Sequence, residues 1–368
     1  MVYFISVIGR FSGLILLGFS ALLLTACGGG GASVTPAPAP VTGLPLVENI
    51  GAFEGSYLHQ PFVAGDKIYV PTGIDGEGVV VLDVTDISAP VIESTIVVGT
   101  LTDAQPRDLA VDGEILYTVN GAEIHSVDIG NNNAVLDSLI GVAGSAASIK
   151  LVGNVAYVTG IGSEPALRTI DISDPSNILD LDASPILEGH NVAIDGGHAY
   201  VAAGTKGLCI FDVTDPGNIT GKDGVSVPSV VNDCIDVDGV VLNSLATKVS
   251  IVDGLALVMS TGDDYSIRPV DISDPENPVL LVGKAITYSS VPEAYDYLGM
   301  AVSGDNVYLG TLVGAQVLDI SNRAAPTLNP KSGPIYSSSL ITGLAVKDDR
   351  LIVATPANLY IVDVSALQ

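Results

Sequence analysis

Short apolar segments recur along the chain from about residue 45 onward, and turn-forming residues separate each segment from the next. One unit consists of an apolar strand, a two-residue turn such as Asp112-Gly113, a second strand, a loop and a third strand. The third strand closes on an apolar residue, an aspartate and another apolar residue, and its aspartates are Asp83, Asp128, Asp171, Asp212, Asp271, Asp319 and Asp363. Gly and Asp suit the positive φ angles of a tight hairpin turn. The pattern therefore predicts seven copies of a small antiparallel sheet.

The second strand of each unit carries a large side chain at one fixed position. The residues at this position are Tyr69, Tyr117, Tyr157, Tyr200, Leu257, Tyr308 and Ile352. Their spacing averages about 47 residues, which with three or four short strands per unit is typical of a β-propeller blade. We interpret these side chains as blade-to-blade packing. Each repeated aspartate is interpreted as a partner of its own turn backbone rather than as a catalytic group.

Two runs, Ile170–Pro175 and Val270–Pro278, resemble the LVIVD repeat. That repeat occurs in bacterial surface and periplasmic proteins and is taken to form a β-propeller. The resemblance covers the chain from about residue 45 to the end, although the second unit departs from it at Gly130–Asn133, where other units have Ser-Asp-Pro. It implies a fold, but the family carries no general biochemical activity that could be transferred.

The last unit ends at Gln368, directly after its third strand, and so lacks an outer strand. The segment Leu44–Ala52, which precedes the first unit, resembles the missing piece. We therefore expect an all-β, seven-bladed β-propeller over residues 44–368, closed by its N-terminal strand. Such closure also hides two sheet edges that would otherwise invite aggregation.

The segment before the repeats has the features of a targeting signal. Its apolar run, Leu14–Leu24, is too short to span a bilayer and ends just before Cys27. Together they resemble a bacterial lipobox, which implies a signal peptide over 1–26, lipidation of Cys27 and a Gly/Pro/Ala-rich tether over 27–43. Gly28 after the cysteine implies an outer-membrane lipoprotein, on the periplasmic side or at the cell surface. The alternatives are an ordinary signal peptide and an uncleaved anchor helix.

The chain has 368 residues, with 41 acidic side chains against 14 basic ones and a net charge of −27. Nucleic acid and anionic membrane surfaces bind through clustered Lys and Arg, so this charge excludes both as direct partners, and membrane contact is expected through the lipid anchor only. Phosphate-loop, HExxH and GxSxG motifs are missing, and so is tryptophan. No cofactor is therefore predicted, and catalytic residues stay unassigned.

Alignment of the inner strands predicts which residues ring the mouth of the central channel. They include His59, Arg107, Asp108, His190 and Lys248, a polar set of mixed sign in an acidic protein. The functional interpretation is a small-ligand or anion site, and the alternative is a solvated channel. A hydrolase or lyase is a competing hypothesis, with a histidine as general base beside an arginine that stabilises an anion. Clustering of the histidines, Arg107 and Asp108 in one pocket would favour it.

A metal site is not indicated, because the two channel histidines have no evident third ligand. Four acidic loop residues offer carboxylates for Ca²⁺, but none has the spacing of a dedicated calcium loop, so a charged rim for solubility is the preferred interpretation. These residues are Asp75, Glu77, Asp263 and Asp264.

Two long connections, at about 218–246 and 283–297, follow the fourth and fifth units and are predicted to form one raised rim on neighbouring blades. Cys209 lies in the third strand of the fourth unit and Cys234 in the insertion after it. An even pair in an oxidising compartment suggests a disulfide that fixes this insertion, and two buried thiols are the alternative.

Taken together, these features predict a binding module rather than an enzyme. Its expected partner is an envelope or extracellular protein or a polysaccharide, bound on the face that carries the two insertions. A structural spacer in a surface assembly is a further alternative.

Overall fold

The structure is a computed structural model. It describes residues 46–52, 58–72, 78–98, 106–121, 123–141, 146–161, 165–184, 188–221, 234–235, 245–261, 266–281, 286–287, 299–311, 314–328, 340–356 and 358–367. All of them belong to one compact unit, Pro38–Gln368. The predicted signal peptide, Cys27 and the tether lie outside the described residues. Within these ranges no helix has the length and apolar character needed to cross a bilayer.

The described strands form seven antiparallel sheets, each built from consecutive segments of the chain. Blade 1 contains β2 (Phe62–Ala64), β3 (Lys67–Thr72), β4 (Gly78–Asp83) and β5 (Val91–Ile96). Blade 2 contains β6 (Pro106–Asp112), β7 (Ile115–Asn120), β8 (Glu123–Asp128) and β9 (Ala134–Ile140). Blade 3 contains β10 (Ala146–Val152), β11 (Val155–Gly160), β12 (Arg168–Asp171) and β13 (Leu179–Ala183).

The fourth and fifth blades each have five strands, because their outer edge is in two pieces. Blade 4 contains β14 (Asn191–Asp195), β15 (His198–Ala202), β16 (Leu208–Asp212), β17 (Thr220–Gly221) and β18 (Cys234–Ile235). Blade 5 contains β19 (Leu245–Val252), β20 (Leu255–Thr261), β21 (Ser266–Asp271), β22 (Val279–Leu280) and β23 (Ile286–Thr287).

Blade 7 takes its outer strand from the start of the described chain. Blade 6 contains β24 (Met300–Ser303), β25 (Asn306–Thr311), β26 (Gly314–Asp319) and β27 (Thr327–Leu328). Blade 7 contains β28 (Gly343–Lys347), β29 (Arg350–Ala354), β30 (Asn358–Asp363) and β1 (Leu46–Ala52). A short 3-10 turn, Ser365–Leu367, follows β30.

The inner strands of the seven blades form a closed ring. Each contacts the inner strand of the next blade, in the order β2, β6, β10, β14, β19, β24 and β28, and β28 contacts β2 again. The ring is joined through blade 7, where β1 pairs antiparallel with β30 in a register that places Ile50 opposite Leu359. The chain is therefore a seven-bladed β-propeller in which the N-terminal strand completes the last blade, as the sequence predicted.

The apolar core lies between blades. Buried apolar side chains of the described residues form seven clusters, and each cluster joins two neighbouring blades. The repeated large residue of each second strand packs into the cluster it shares with the following blade: Tyr117 lies against Ile149 and Ile172 of blade 3, for example. Ile352 of blade 7 packs with Leu58 and Ile68 of blade 1 and so closes the circle. The predicted role of these residues in blade packing is confirmed.

The repeated aspartates cap the turn that follows each third strand. In all seven blades a carboxylate oxygen accepts a hydrogen bond of 2.8–3.0 Å from the backbone N–H two residues later. Six of these turns also place a serine or threonine at that position, and its backbone and hydroxyl hydrogen bonds lower the pKa of the carboxyl. These residues are Asp83, Asp171, Asp212, Asp271, Asp319 and Asp363. The structural interpretation of the aspartates is confirmed.

Candidate functional site

The residues that face the ring axis are placed by one repeated backbone hydrogen bond at the start of the inner strand. The N–H of His59 donates to the carbonyl of Pro71 at 2.9 Å, and His190 and Thr342 make the equivalent bond in blades 4 and 7 at 2.8 and 2.9 Å. The inner strands of three blades therefore begin in the same register. This register is why alignment on the repeat identified the axial positions.

These positions meet in one cavity on the ring axis. It is small, with about 30 Å³ of space for bound molecules, it opens to solvent on one side, and its lining residues come from blades 1, 2, 3, 4, 5 and 7. They are His59, Gln60, Arg107, Ala147, Ile161, His190, Lys248 and Thr342. The structure thus brings together four of the five residues predicted at the channel mouth: the two histidines, Arg107 and Lys248.

The pKa of His59 reflects the electrostatic character of this cavity. Its imidazole is buried, and burial together with the positive charges of Arg107 and Lys248 lowers its pKa to about 4. Asp108 acts in the opposite direction, but as the weakest of the four influences. His59 is therefore neutral near pH 7, in surroundings that disfavour a further positive charge.

A carboxylate lies beside the second histidine. Glu188 Oε1 is 3.3 Å from His190 Nε2, and Glu188 Oε2 is 4.0 Å from Lys206 Nζ. Glu188 has a φ of 74°, an uncommon conformation for a residue other than glycine. The sequence analysis did not select Glu188 or Lys206; the proximity of Glu188 to His190 along the chain was the available signal.

Asp108 differs from the prediction that it lies at the channel mouth, because its side chain is directed between blades rather than into the cavity. Its Oδ2 accepts hydrogen bonds from Ser148 Oγ at 2.8 Å and from the N–H of Ile149 at 3.0 Å, both in blade 3. Asp108 follows Arg107 directly in strand β6, at a point where the register of the strand is irregular between Pro106 and Asp108. Asp108 is thus not among the residues that line the cavity with the two histidines and Arg107.

Other residues at the position of Asp108 also connect inner strands. Asn191 Oδ1 accepts from the N–H of Val249 in blade 5 at 3.1 Å, and its Nδ2 donates to Ser148 Oγ at 3.0 Å. In blade 7 the position is Gly343, where a Cβ would lie 2.6 Å from Gln60 Cα. Glycine is required there because the strands of blades 7 and 1 approach too closely for a side chain.

The insertion after blade 4 begins and ends at the outer edge of the sheet. Gly221 pairs with Phe211 and Cys234 pairs with Cys209, so twelve residues of sequence separate two positions whose partners are only two residues apart. A disulfide joins Cys209 to Cys234 at the point where the chain rejoins the blade. The predicted single connection over 218–246 is therefore divided by strand β18.

Blade 5 repeats this arrangement on a smaller scale. Leu280 pairs with Val270 and Ile286 pairs with Ile267, so residues 281–285 connect the two pieces of the outer edge. The outer strands of blades 1, 2 and 3 instead contain a one-residue bulge at the equivalent place, such as Leu181 in blade 3. Both insertions thus extend a site at which the repeat already tolerates an extra residue.

The carboxylates considered for Ca²⁺ lie outside the described residues: Asp75, Glu77, Asp263 and Asp264. In the part of the chain that the structure describes, no group of three or more His, Cys, Asp and Glu side chains is arranged to hold a metal ion.

Comparison with known families agrees with the repeat seen in the fold. The LVIVD repeat model matches residues 143–179, 188–225 and 298–331, which include three of the seven third strands. The chain therefore contains LVIVD repeats. No curated protein sequence matches it.

Solved structures of similar fold include two WD40 propellers, and all those compared have little sequence identity to this chain. The WD40 β-propeller domain of Doa1 has a TM-score of 0.60 at 12% identity, covering 87% of this chain and 96% of that one. The RRP9 WD40 repeats have a TM-score of 0.59 at 12% identity, with coverages of 89% and 99%. A chain of the Mitotic Checkpoint Complex has a TM-score of 0.60 at 13% identity, with coverages of 93% and 99%. These likenesses concern the fold alone.

Proposed function

We propose that this protein is a lipid-anchored binding module of the cell envelope, which docks a protein partner at the outer edge of blades 4 and 5. One observation carries the proposal: two neighbouring blades have their outer edge in two pieces, and in blade 4 twelve residues of sequence separate the paired residues Gly221 and Cys234. Propellers are rigid frames on which such departures from the repeat can be displayed without disturbing the core.

The disulfide supports this assignment. It attaches the end of the insertion to β16, a strand whose residues from Leu208 to Phe211 are fully buried. Fixing one end of a binding segment to a rigid element lowers the entropy that binding must overcome. A disulfide also suits an oxidising compartment, in agreement with the proposed export of the chain.

The proposed location in the cell envelope rests on the lipobox-like segment Leu24–Cys27 and on the Gly/Pro/Ala-rich residues after it. We place the mature protein at the outer membrane, attached through acyl chains on Cys27. Its net charge of −27 excludes a role for electrostatic attraction to anionic lipid in that attachment. Substitution Cys27→Ser should release the protein from the membrane fraction of a bacterial expression host, whereas an unchanged distribution would contradict the lipid anchor.

The docking edge is tested with envelope extracts and a pair of matched variants. In the first variant, Leu-Asp replaces residues 222–233, because Leu181-Asp182 occupies the equivalent place in blade 3. In the second, a Gly/Ser segment of equal length replaces the same twelve residues. We expect wild-type protein to retain an envelope protein that both variants lose, while thermal unfolding shows that both still fold.

Three other outcomes would contradict the proposal. Retention of the same partner by both variants would place binding elsewhere on the ring. Binding of a purified envelope polysaccharide at this edge, with no protein retained, would change the class of partner. Failure of the wild-type protein to retain any envelope component would remove the support for a docking role.

A further inference from the structure

The axial cavity concentrates positive charge in a strongly acidic protein. Arg107 of blade 2 and Lys248 of blade 5 both line it, between His59 of blade 1 and His190 of blade 4. The whole chain has only 14 Lys and Arg against 41 Asp and Glu. Four blades therefore each contribute a nitrogen donor of positive or titratable character to one small space.

Among the described residues, two carboxylates near this cavity are held by other groups. Asp108 accepts hydrogen bonds from Ser148 and from the backbone of blade 3. Glu188 lies against His190 and Lys206. The direction of the field agrees with this arrangement, since the charges of Arg107 and Lys248 oppose protonation of His59 and outweigh Asp108.

A buried hydroxyl provides a second, independent observation. Thr342 is only 4% exposed and lines the cavity, yet its Oγ1 makes no hydrogen bond within the described part of the chain. A buried hydroxyl without a partner destabilises a protein, so a native structure usually satisfies it with a bound molecule or water. Next to a guanidinium and an ammonium, a group that accepts hydrogen bonds satisfies it best.

The remaining lining residues favour a compact, charged ligand. Ala147 and Ile161 are apolar and exclude water from part of the wall, which strengthens electrostatic attraction inside the cavity. Guanidinium, ammonium and hydroxyl groups are the usual donors to a tetrahedral oxyanion, and arginine presents two N–H groups to it at once. The open part of the cavity leaves room for a substituent on that oxyanion.

We propose that the axial cavity binds a small, doubly charged oxyanion of the phosphate or sulfate type. Arg107 and Lys248 neutralise its charge, and the Thr342 hydroxyl donates a hydrogen bond to it. The imidazoles of His59 and His190 lie beside it. This site is separate from the outer edge of blades 4 and 5, so either proposal can fail alone.

Histidine NMR tests the site directly, because the chain has four histidines and only two line the cavity. Sulfate is the first probe, since its charge stays constant while histidines titrate, and sodium chloride of equal ionic strength is the control. We expect sulfate to shift the ring signals of His59 and His190 and to leave His125 and His198 unchanged. Bound sulfate should also raise the pKa of His59 from about 4, because an anion favours the protonated imidazole.

Variants then assign the donors. Arg107→Gln and Lys248→Gln should each weaken sulfate binding at least about tenfold, the effect of losing roughly 1.4 kcal/mol from a charge-assisted contact. Thr342→Val, which keeps the volume and removes the hydroxyl, should weaken it several-fold. Lys67→Gln is the matched control, since Lys67 is an exposed lysine paired with Glu93 and distant from the axial lining. If Arg107→Gln fails to fold, Thr342→Val and the wild-type histidine signals still decide the question.

The source of the oxyanion is distinguished by comparing inorganic phosphate with glycerol phosphate. Tighter binding of the monoester indicates that the anion is the end group of a larger molecule, and tighter binding of inorganic phosphate indicates the free ion. Equal shifts with chloride and sulfate would show general screening and would overturn the proposal. So would sulfate binding that all three cavity variants retain.

Discussion

The contact between blades 1 and 2 differs from the contacts that blade 3 makes with blades 2 and 4. Where blade 2 meets blade 3, Ser126 Oγ donates to the carbonyl of Pro175 at 2.5 Å, and the N–H of Ile178 donates to Asp137 Oδ2 at 2.8 Å. Blades 3 and 4 repeat both bonds, from Thr169 to Pro216 at 2.6 Å and from Ile219 to Asp182 at 2.7 Å. The outer parts of these two interfaces are thus tied by polar contacts.

Blades 1 and 2 have neither bond among the described residues. Val81 and Ser94 occupy the donor and acceptor positions of blade 1, and a groove of about 940 Å³, partly open to solvent, lies beside them. Both blades contribute to this difference. Blade 1 has no hydroxyl at Val81 and no carboxylate at Ser94. In blade 2 five residues separate Asp128 from its partner Ala134, whereas seven separate Asp171 from Leu179. The shorter turn, with left-handed Asn132 and Asn133, does not include the proline that reaches the neighbouring blade.

The difference shows that apolar packing and polar contacts have separate roles at these interfaces. The cluster that includes Tyr69 and Leu109 still joins blades 1 and 2, so the ring closes without the outer bonds. The shorter turn of blade 2 and the side chains of Val81 and Ser94 in blade 1 together leave a groove while the fold is kept.

The largest expected effect compares the two tyrosines at these interfaces. Tyr117→Ala should lower the free energy of unfolding by about 3–5 kcal/mol, because it empties a fully packed site between blades 2 and 3. Tyr69→Ala should cost clearly less, since Tyr69 already lines the groove between blades 1 and 2. Urea unfolding with intact disulfide measures both, and Tyr117→Phe is the control for the phenol. Equal losses from the two alanine variants would contradict the comparison.

The next effect concerns the outer polar contacts. Asp182→Ala should destabilise the protein by about 1–3 kcal/mol, because it leaves the N–H of Ile219, a residue only 7% exposed, without its acceptor. Ser94→Ala changes the corresponding place in blade 1 and should alter stability by less than about 0.5 kcal/mol. Asp182→Asn keeps an acceptor oxygen and should recover part of the loss. The comparison breaks down if Ser94→Ala costs as much as Asp182→Ala in urea unfolding.

The smallest effect tests what the turn of blade 2 lacks. Asp212 accepts hydrogen bonds from both the hydroxyl and the N–H of Thr214, at 2.7 and 2.9 Å, whereas Asp128 receives the N–H of Gly130 and no hydroxyl from it. The Thr214 hydroxyl is the main cause of the lowered pKa of Asp212. Thr214→Val should therefore raise this pKa toward its ordinary value, as followed by NMR of the carboxyl carbon.

The sign of the stability effect follows from that pKa. A carboxyl whose pKa is lower in the folded state stabilises the protein above its unfolded pKa, and this contribution is lost as the pH falls through the folded value. Thr214→Val should thus reduce stability slightly above about pH 4 and leave it unchanged in stronger acid. An unaltered Asp212 pKa in the variant would show that the backbone N–H alone sets it.

Sequence reasoning was most successful where one requirement is repeated in every blade. The capping aspartates and the packing residues of the second strands recur because each blade makes the same turn and meets the same kind of neighbour. Alignment on that repeat placed His59, Arg107, His190 and Lys248 at the axis, where the cavity brings them together. It failed for Asp108, because the repeat fixes a position along the strand but not which side chain finds a partner across the blade interface.

The sequence by itself determined the number of blades, the strand that closes the ring and the charge of the chain, since these follow from periodicity and composition. Only the tertiary structure decided which departures from the repeat meet in space. The shorter turn of blade 2 became a groove only beside Val81 and Ser94 of blade 1. The buried hydroxyl of Thr342 came to lie with Arg107 and Lys248 only once the ring was closed. The physical reason is that local patterns fix strands and turns, whereas a cavity between blades depends on side chains that are distant along the chain.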